Sequence, residues 1–169
     1  PIIKCGDRVI SLDIRSQRVT DAVSQISTWP ELRQKLVALQ QKIISNAKNG
    51  IVVEGRDIGT VVAPNSQLKI FLQADINARA QRRENELNSL AITGGDVTQV
   101  AASLSQRDSI DSTRAVSPLR KAEDAILVDS TDLGLEETID YIWNILKQRS
   151  LLGLPVVVVV GRPNVGKST

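Results

Sequence analysis

The chain has 169 residues, with 21 Lys and Arg against 19 Asp and Glu, a formal net charge of +2, one cysteine (Cys5) and no histidine. That length fits one domain with at most a small appendage, and the near-neutral balance excludes a general polyanion binder. The cysteine and histidine usage excludes a disulfide framework, the usual zinc sites and Ser-His or Cys-His nucleophilic catalysis.

Pro1 opens the chain, methionine is absent throughout, and no signal or transit pattern precedes the first apolar residues, so the sequence reads as an excerpt cut at both ends. Val19, Ala22, Val23 and Ile26 share one helical face. Leu32, Leu36, Leu39 and Ile43 share another, with Pro30 in the first turn and Gly50 as a stop signal. Ile51-Val52-Val53, residues 68–72 and residues 125–128 are short apolar runs of the kind that buried parallel strands require. Asp75 is placed to cap a helix running through Arg79 toward Leu90, and Gly94-Gly95-Asp96 breaks it before a second helix with Asp96 and Gln99 as a capping box. Ile139, Ile142, Trp143 and Leu146 mark a last amphipathic helix, residues 150–155 a linker, and residues 156–160 a five-valine strand. Strands alternating with helices predict an α/β fold with a parallel sheet. Trp29, Phe71, Tyr141 and Trp143 are its aromatics, so Val, Ile, Leu and Ala must build the core. The longest apolar run is too short to span a bilayer, and the reading is a cytoplasmic protein.

Ligands of open α/β sheets sit beyond the carboxyl ends of the strands, which draws attention to Gly55-Arg56-Asp57-Ile58-Gly59-Thr60. Arg56 offers a guanidinium fork for a phosphate and Asp57 an acceptor, although a surface Arg–Asp pair in a turn would look the same. Arg79, Arg82 and Arg83 lie three and four apart, crowding like charge on one helix face unless an anion or Glu84 and Glu86 neutralise it. Arg107, Asp111 and Arg114 also share a face, either as an ion-pair ladder or as a carboxylate held ionised to accept sugar or base groups. The chain ends on Gly161-Arg162-Pro163-Asn164-Val165-Gly166-Lys167-Ser168-Thr169, a G-x-x-x-x-G-K-[ST] phosphate loop after a strand. Its backbone N–H groups would wrap a nucleotide phosphate, with Lys167 on the phosphates and the Ser168 hydroxyl on Mg²⁺. A chance match in a tail is the alternative. The helix that should follow the loop lies beyond Thr169, so the loop is expected to be crippled as it stands.

The segment Ile51-Val52-Val53-Glu54-Gly55-Arg56-Asp57-Ile58-Gly59-Thr60-Val61-Val62, then Lys69-Ile70-Phe71-Leu72, Arg79-Ala80-Gln81-Arg82-Arg83, Arg107-Asp108, Asp111-Ser112-Thr113-Arg114-Ala115-Val116-Ser117-Pro118-Leu119, and Ala122 to Asp129-Ser130-Thr131 resembles bacterial cytidylate kinase. The match runs from about residue 9 to 148. From Pro155 onward the tail is similar to the first GTPase domain of the EngA/Der family, and the two resemblances fit one fused parent chain.

The first resemblance implies a P-loop nucleoside monophosphate kinase: a parallel core sheet with helices on both faces, a monophosphate-binding insert in residues 1–50, and a core in residues 51–149 with a lid at about 79–107. Residues 156–169 would then be the first strand and loop of a truncated GTPase domain. The implied activity is phosphoryl transfer from ATP, with Mg²⁺, to CMP or dCMP; GTP would suit the C-terminal loop. DNA and membranes are not implied partners, and a ribosome would be one only through the GTPase part. By similarity, Ser24, Arg33 and Asp57 would read the cytosine edge with Arg114 beside them, Arg107 and Asp111 would hold ribose and phosphate, and Arg56 the CMP phosphate. Arg79, Arg82 and Arg83, with Arg107, would act on the transferring group. Gly161, Asn164, Val165, Gly166, Lys167, Ser168 and Thr169 would form the nucleotide phosphate loop, with Ser168 toward the metal.

The family's own phosphate loop and central first strand fall before residue 1. The sequence is therefore expected to carry the acceptor side and the lid without that donor loop, and to bind CMP weakly without turning it over. The valine strand is expected to fill the vacant place, pairing in parallel with both the Ile51 and the Leu68 strands.

Overall fold

In the computed structural model, residues 2–11, 13–89, 96–151, 156–162 and 164–165 are described. A small antiparallel ribbon, β1 (Lys4–Cys5) with β2 (Arg8–Val9), precedes two helices, α1 (Gln17–Ile26) and α2 (Pro30–Ser45). The core follows as β3 (Ile51–Gly55), β4 (Leu68–Gln73), α3 (Ile76–Ser89), α4 (Val97–Thr113), β5 (Ile126–Asp129), α5 (Leu135–Gln148) and β6 (Val156–Gly161).

The sheet order is β3-β6-β4-β5, with every neighbouring pair parallel. β6 therefore occupies the expected place: Val158 is in register with Val53 on one side and with Lys69 on the other. A strand bonded on both sides and covered on both faces has no surface on which to place polar side chains, which is why a continuous valine run suits it. Val157 and Val159 join Leu68, Ile70, Leu72, Val128, Ile145 and Val165 in one core cluster, against which Ile142 and Leu146 of α5 also pack. Val160 faces the other way, into a cluster with Ile58, Val62, Ala63 and Leu119 that Val37 and Ile44 of α2 cover. Each fully buried valine contributes about 1.5–3 kcal/mol relative to exposure. The strand that resemblance assigns to a further domain is thus integral to this sheet.

Three local expectations are corrected. α2 starts with Pro30 as foreseen but ends at Ser45; Gly50, at φ 71°, serves the turn into β3 instead. Leu36, Leu39 and Ile43 of α2, and Ile139 and Trp143 of α5, lie on exposed faces, while Val37 with Ile44 and Ile142 with Ile145 and Leu146 turn inward. Asp96 precedes α4 without the side-chain bond of a capping box; only its carbonyl accepts, from Gln99 and Val100. Asp75 does cap α3, its Oδ1 accepting the Asn77 N–H at 2.7 Å. The Gly94-Gly95 break and most of the linker lie outside the described residues.

Candidate active site

Four parallel strands end together, and the polar residues cluster just past those ends. After β3 the backbone makes a π-helical turn, Ile58–Val62, closed by Ala63 N–H donating to the Ile58 carbonyl at 2.7 Å. The wider turn buries Ile58 and Val62 in the core and leaves Arg56 and Asp57 at its mouth. Gly55 is required here, since a Cβ would lie 2.6 Å from Ile58 Cγ1.

Arg56 and Asp57 each meet a partner from another element. Arg33 of α2 donates Nη2 to Asp57 Oδ2 and Nη1 to the Ser27 carbonyl. Arg56 Nη1 forms an ion pair with Asp111 Oδ2 at 2.5 Å, and Arg114 Nη1 donates to Asp111 Oδ1 at 3.2 Å while its Nε donates to the Ser117 carbonyl. Asp111 is 1% exposed, so the spacing read as a possible surface ladder is a buried carboxylate between two guanidinium groups. The contact with Arg56 is one of charge and not of hydrogen-bond direction.

Positive charge accumulates around this carboxylate. Arg107 is pushed below its ordinary pKa by burial first and by Arg56 next. Burial, then Arg33, does the same to Arg114. An arginine stays protonated after such shifts, so the strain takes the form of an unmet demand for negative charge. Buried guanidinium nitrogens of Arg33 (Nε), Arg107 (Nε) and Arg114 (Nη2) make no hydrogen bond. Donors of this kind, left over in an electropositive crevice, suit an anion with several acceptor oxygens.

The α3 arginines separate. Arg79, 1% exposed, pairs with Asp108 of α4 at 2.7 Å. Arg82 turns to the end of β5, donating to the carbonyls of Ser130, Thr131 and Leu133 and, at 3.5 Å, to that of Asn164. Arg83 pairs with Glu86 at 2.8 Å, as the local charge pattern allowed. The described part of the C-terminal loop is held by the same groups. Ser130 Oγ donates to the Val165 carbonyl at 2.8 Å, Asn164 Nδ2 donates to Glu86 at 3.3 Å, and Arg162 lies 3.6 Å from Asp108. A Cβ on Gly161 would lie 2.4 Å from the Leu72 carbonyl oxygen, so only glycine lets β6 leave the sheet at that point.

Asp108, Ser130 and Arg162 had no sequence-derived role. Asp108 was legible in part, since it sits three before Asp111 and shares its helix face. Ser24 lies on α1, but its side chain, like residues Pro163, Gly166, Lys167, Ser168 and Thr169, is outside the described residues. Among the described residues no group of three His, Cys, Asp or Glu side chains could hold a metal, and no helix is long and apolar enough to cross a membrane.

Residues 2–148 match the family model described as Cytidylate kinase. A protein named cytidylate kinase from Acholeplasma laidlawii (strain PG-8A) is 45% identical over 145 residues, covering 86% of this chain and 64% of that protein. One of the same name from Nocardia farcinica (strain IFM 10152) is 47% identical over 152 residues, covering 90% and 65%. Another from Rhodococcus opacus (strain B4) is 48% identical over 141 residues, covering 83% and 61%. The chain thus spans less than two thirds of the length of each of these relatives.

Proposed function

The chain belongs to the cytidylate kinase family, and from that premise we propose that it serves phosphoryl transfer from ATP to CMP or dCMP. The observation that carries the reading is the grip of arginines on two carboxylates at the sheet edge, Arg33 on Asp57 and Arg56 with Arg114 on Asp111. In the proposed roles Arg56 and Arg107 hold the acceptor phosphate and Asp111 the ribose. Ser24, Arg33 and Asp57 read the cytosine edge, with Arg114 alongside. An oxygen of the CMP phosphate attacks the γ-phosphorus, the bond to the bridging oxygen breaks, and ADP leaves as CDP forms. Such transfer asks the protein mainly for position and positive charge around the equatorial oxygens, and Arg79, Arg82 and Arg83 are the proposed suppliers. Mg²⁺ would neutralise nucleotide phosphates; the Ser168 hydroxyl is the one protein ligand proposed, and the described residues offer it no carboxylate trio.

The test is ADP formation from ATP on addition of CMP, dCMP, UMP or AMP in turn. The reading predicts stimulation by the cytidine nucleotides, where the sequence alone led to an expectation of weak CMP binding without turnover, and its loss in Arg56→Ala. No preference for CMP over UMP would overturn it.

A second reading has one specific feature behind it, the nine residues 161–169. Their sequence suits a GTPase of the Der type, with the kinase-like part as fused partner and the ribosome as a possible target. Binding of GTP in strong preference to ATP would favour it.

A further inference from the structure

We propose that this chain associates head to tail with further copies of itself, the outward face of α2 in one copy seating the outward face of α5 in the next.

α2 carries more apolar residues than its core contact uses. Val37 and Ile44 take its inward side. On another side Trp29, Leu32, Leu36, Leu39 and Ile43 follow one another at alternating intervals of three and four, the a and d spacing of a helix that packs against a second helix. Trp29, Leu36, Leu39 and Ile43 are each 48–58% exposed, so no described element of the same copy serves as that second helix. A contiguous apolar stripe of this kind marks an interaction surface.

α5 repeats the situation across the sheet. Its Ile142, Ile145 and Leu146 pack on the Val157 and Val159 side of β6, whereas Val37 and Ile44 of α2 pack on the Val160 side. Leu135, Ile139 and Trp143, at successive intervals of four, remain 42–48% exposed. With the sheet between them, the outward stripes of α2 and α5 can meet only between copies.

Charge selects that pairing. Lys35 and Lys42, both exposed, stand one position before Leu36 and Ile43 and line one flank of the α2 stripe. Glu136 and Asp140, also exposed, stand one position after Leu135 and Ile139 and line one flank of the α5 stripe. Lys147 stands beyond this acidic half of α5, its Nζ 5.7 Å from the Trp143 ring centre. A flank that precedes its stripe meets a flank that follows it when two helices run parallel, the relation of g to e positions in a parallel coiled coil. Lysines then face carboxylates along the contact. Two copies of α2 would instead set those lysines against one another or against Gln40. Because opposite faces of one sheet cannot both meet the same neighbour, each contact leaves an α2 free at one end and an α5 free at the other, and growth continues past two copies.

Sedimentation velocity on the 169-residue chain, over a roughly 100-fold range of concentration, should give a mean mass that climbs past that of two chains. The climb should shrink as NaCl rises toward ~1 M, where screening reaches ~3 Å. Lys35→Glu with Lys42→Glu, and separately Glu136→Lys with Asp140→Lys, should each weaken self-association at least ~10-fold, since like charges then face each other. Mixed in equal amounts, the two charge-reversed proteins should associate again, because acid once more meets base at both kinds of contact. A misfolded variant could not produce that rescue. A chain that stays monomeric throughout, association that stops at two copies, reversed variants that associate as the parent does, or a mixture that fails to recover would each overturn the proposal.

Discussion

Asp111 Oδ2 lies 2.5 Å from Arg56 Nη1, and this contact ties the residue just past β3 to the last turns of α4. Because Arg114 occupies the other oxygen, one buried carboxylate fixes the positions of two guanidinium groups, one just past β3 and one at the end of α4.

Removing that carboxylate leaves two arginines facing each other with no counterion. Asp111→Ala should destabilise the protein by about 3–5 kcal/mol, as breaking a buried pair does, and not by the 0–1 kcal/mol of an exposed ladder. Urea unfolding measures this. Added phosphate should recover part of the loss in Asp111→Ala and affect the parent protein less, because the anion replaces the missing charge.

Gly161→Ala tests the close exit of β6. The new methyl would press on the Leu72 carbonyl oxygen, a backbone atom with little room to move, and on Val165 Cγ2 at 2.9 Å. Overpacking of this kind costs about 1–3 kcal/mol. Thermal unfolding followed by circular dichroism should register a drop in Tm of several degrees; an unchanged Tm would mean that β6 leaves the sheet differently.

Ser130→Ala removes the hydroxyl between Arg82 and the Val165 carbonyl, both part of the loop's anchorage. An unsatisfied buried acceptor costs about 1–3 kcal/mol. Here the loss is local, so hydrogen exchange should accelerate in peptides covering residues 160–165 well before it does in β4.

The acid limb of stability is set in part by Asp124, whose carboxylate receives Lys69 Nζ at 2.6 and 2.8 Å and is held below its ordinary pKa by that bond. A carboxylate with a depressed folded-state pKa gives stability that is present above its unfolded value, about 3.9, and lost as pH falls through the folded value. Asp129 is lowered in the same sense, chiefly by the Thr131 hydroxyl. Asp124→Asn should therefore flatten the fall in Tm below about pH 4. Identical acid slopes for the two proteins would remove Asp124 from the account.

What the sequence disclosed followed from how local each signal was. The five valines of β6 needed cover on both faces, and the resemblance to cytidylate kinase implied where such a place lay, between the strands at Ile51 and Leu68. α2 defeated the same reasoning because it has apolar residues on two sides; which side turns inward depends on the sheet it meets, and Val37 with Ile44 won over Leu36 with Leu39. Asp75 as a cap was legible from two neighbouring positions, whereas Arg79 with Asp108 joins separate helices and leaves no trace in spacing. Arg107 and Asp111 do lie on α4 with Arg114 as its C-cap, but that Asp111 is buried and paired with Arg56 from beyond β3, which turns a weak ladder into a costly and anion-seeking site, leaves no mark in spacing.

The placement of β6 also sets an order of events during synthesis. Ile51 must wait for Val156, and Leu68 for Val157, before either strand acquires its inner neighbour. A ribosome would thus have released most of this sequence while β3 and β4 still lacked that neighbour, and pairings so distant along the chain are slow to close because loop entropy is lost before any contact repays it. During that interval the open ladders are templates for any extended segment nearby.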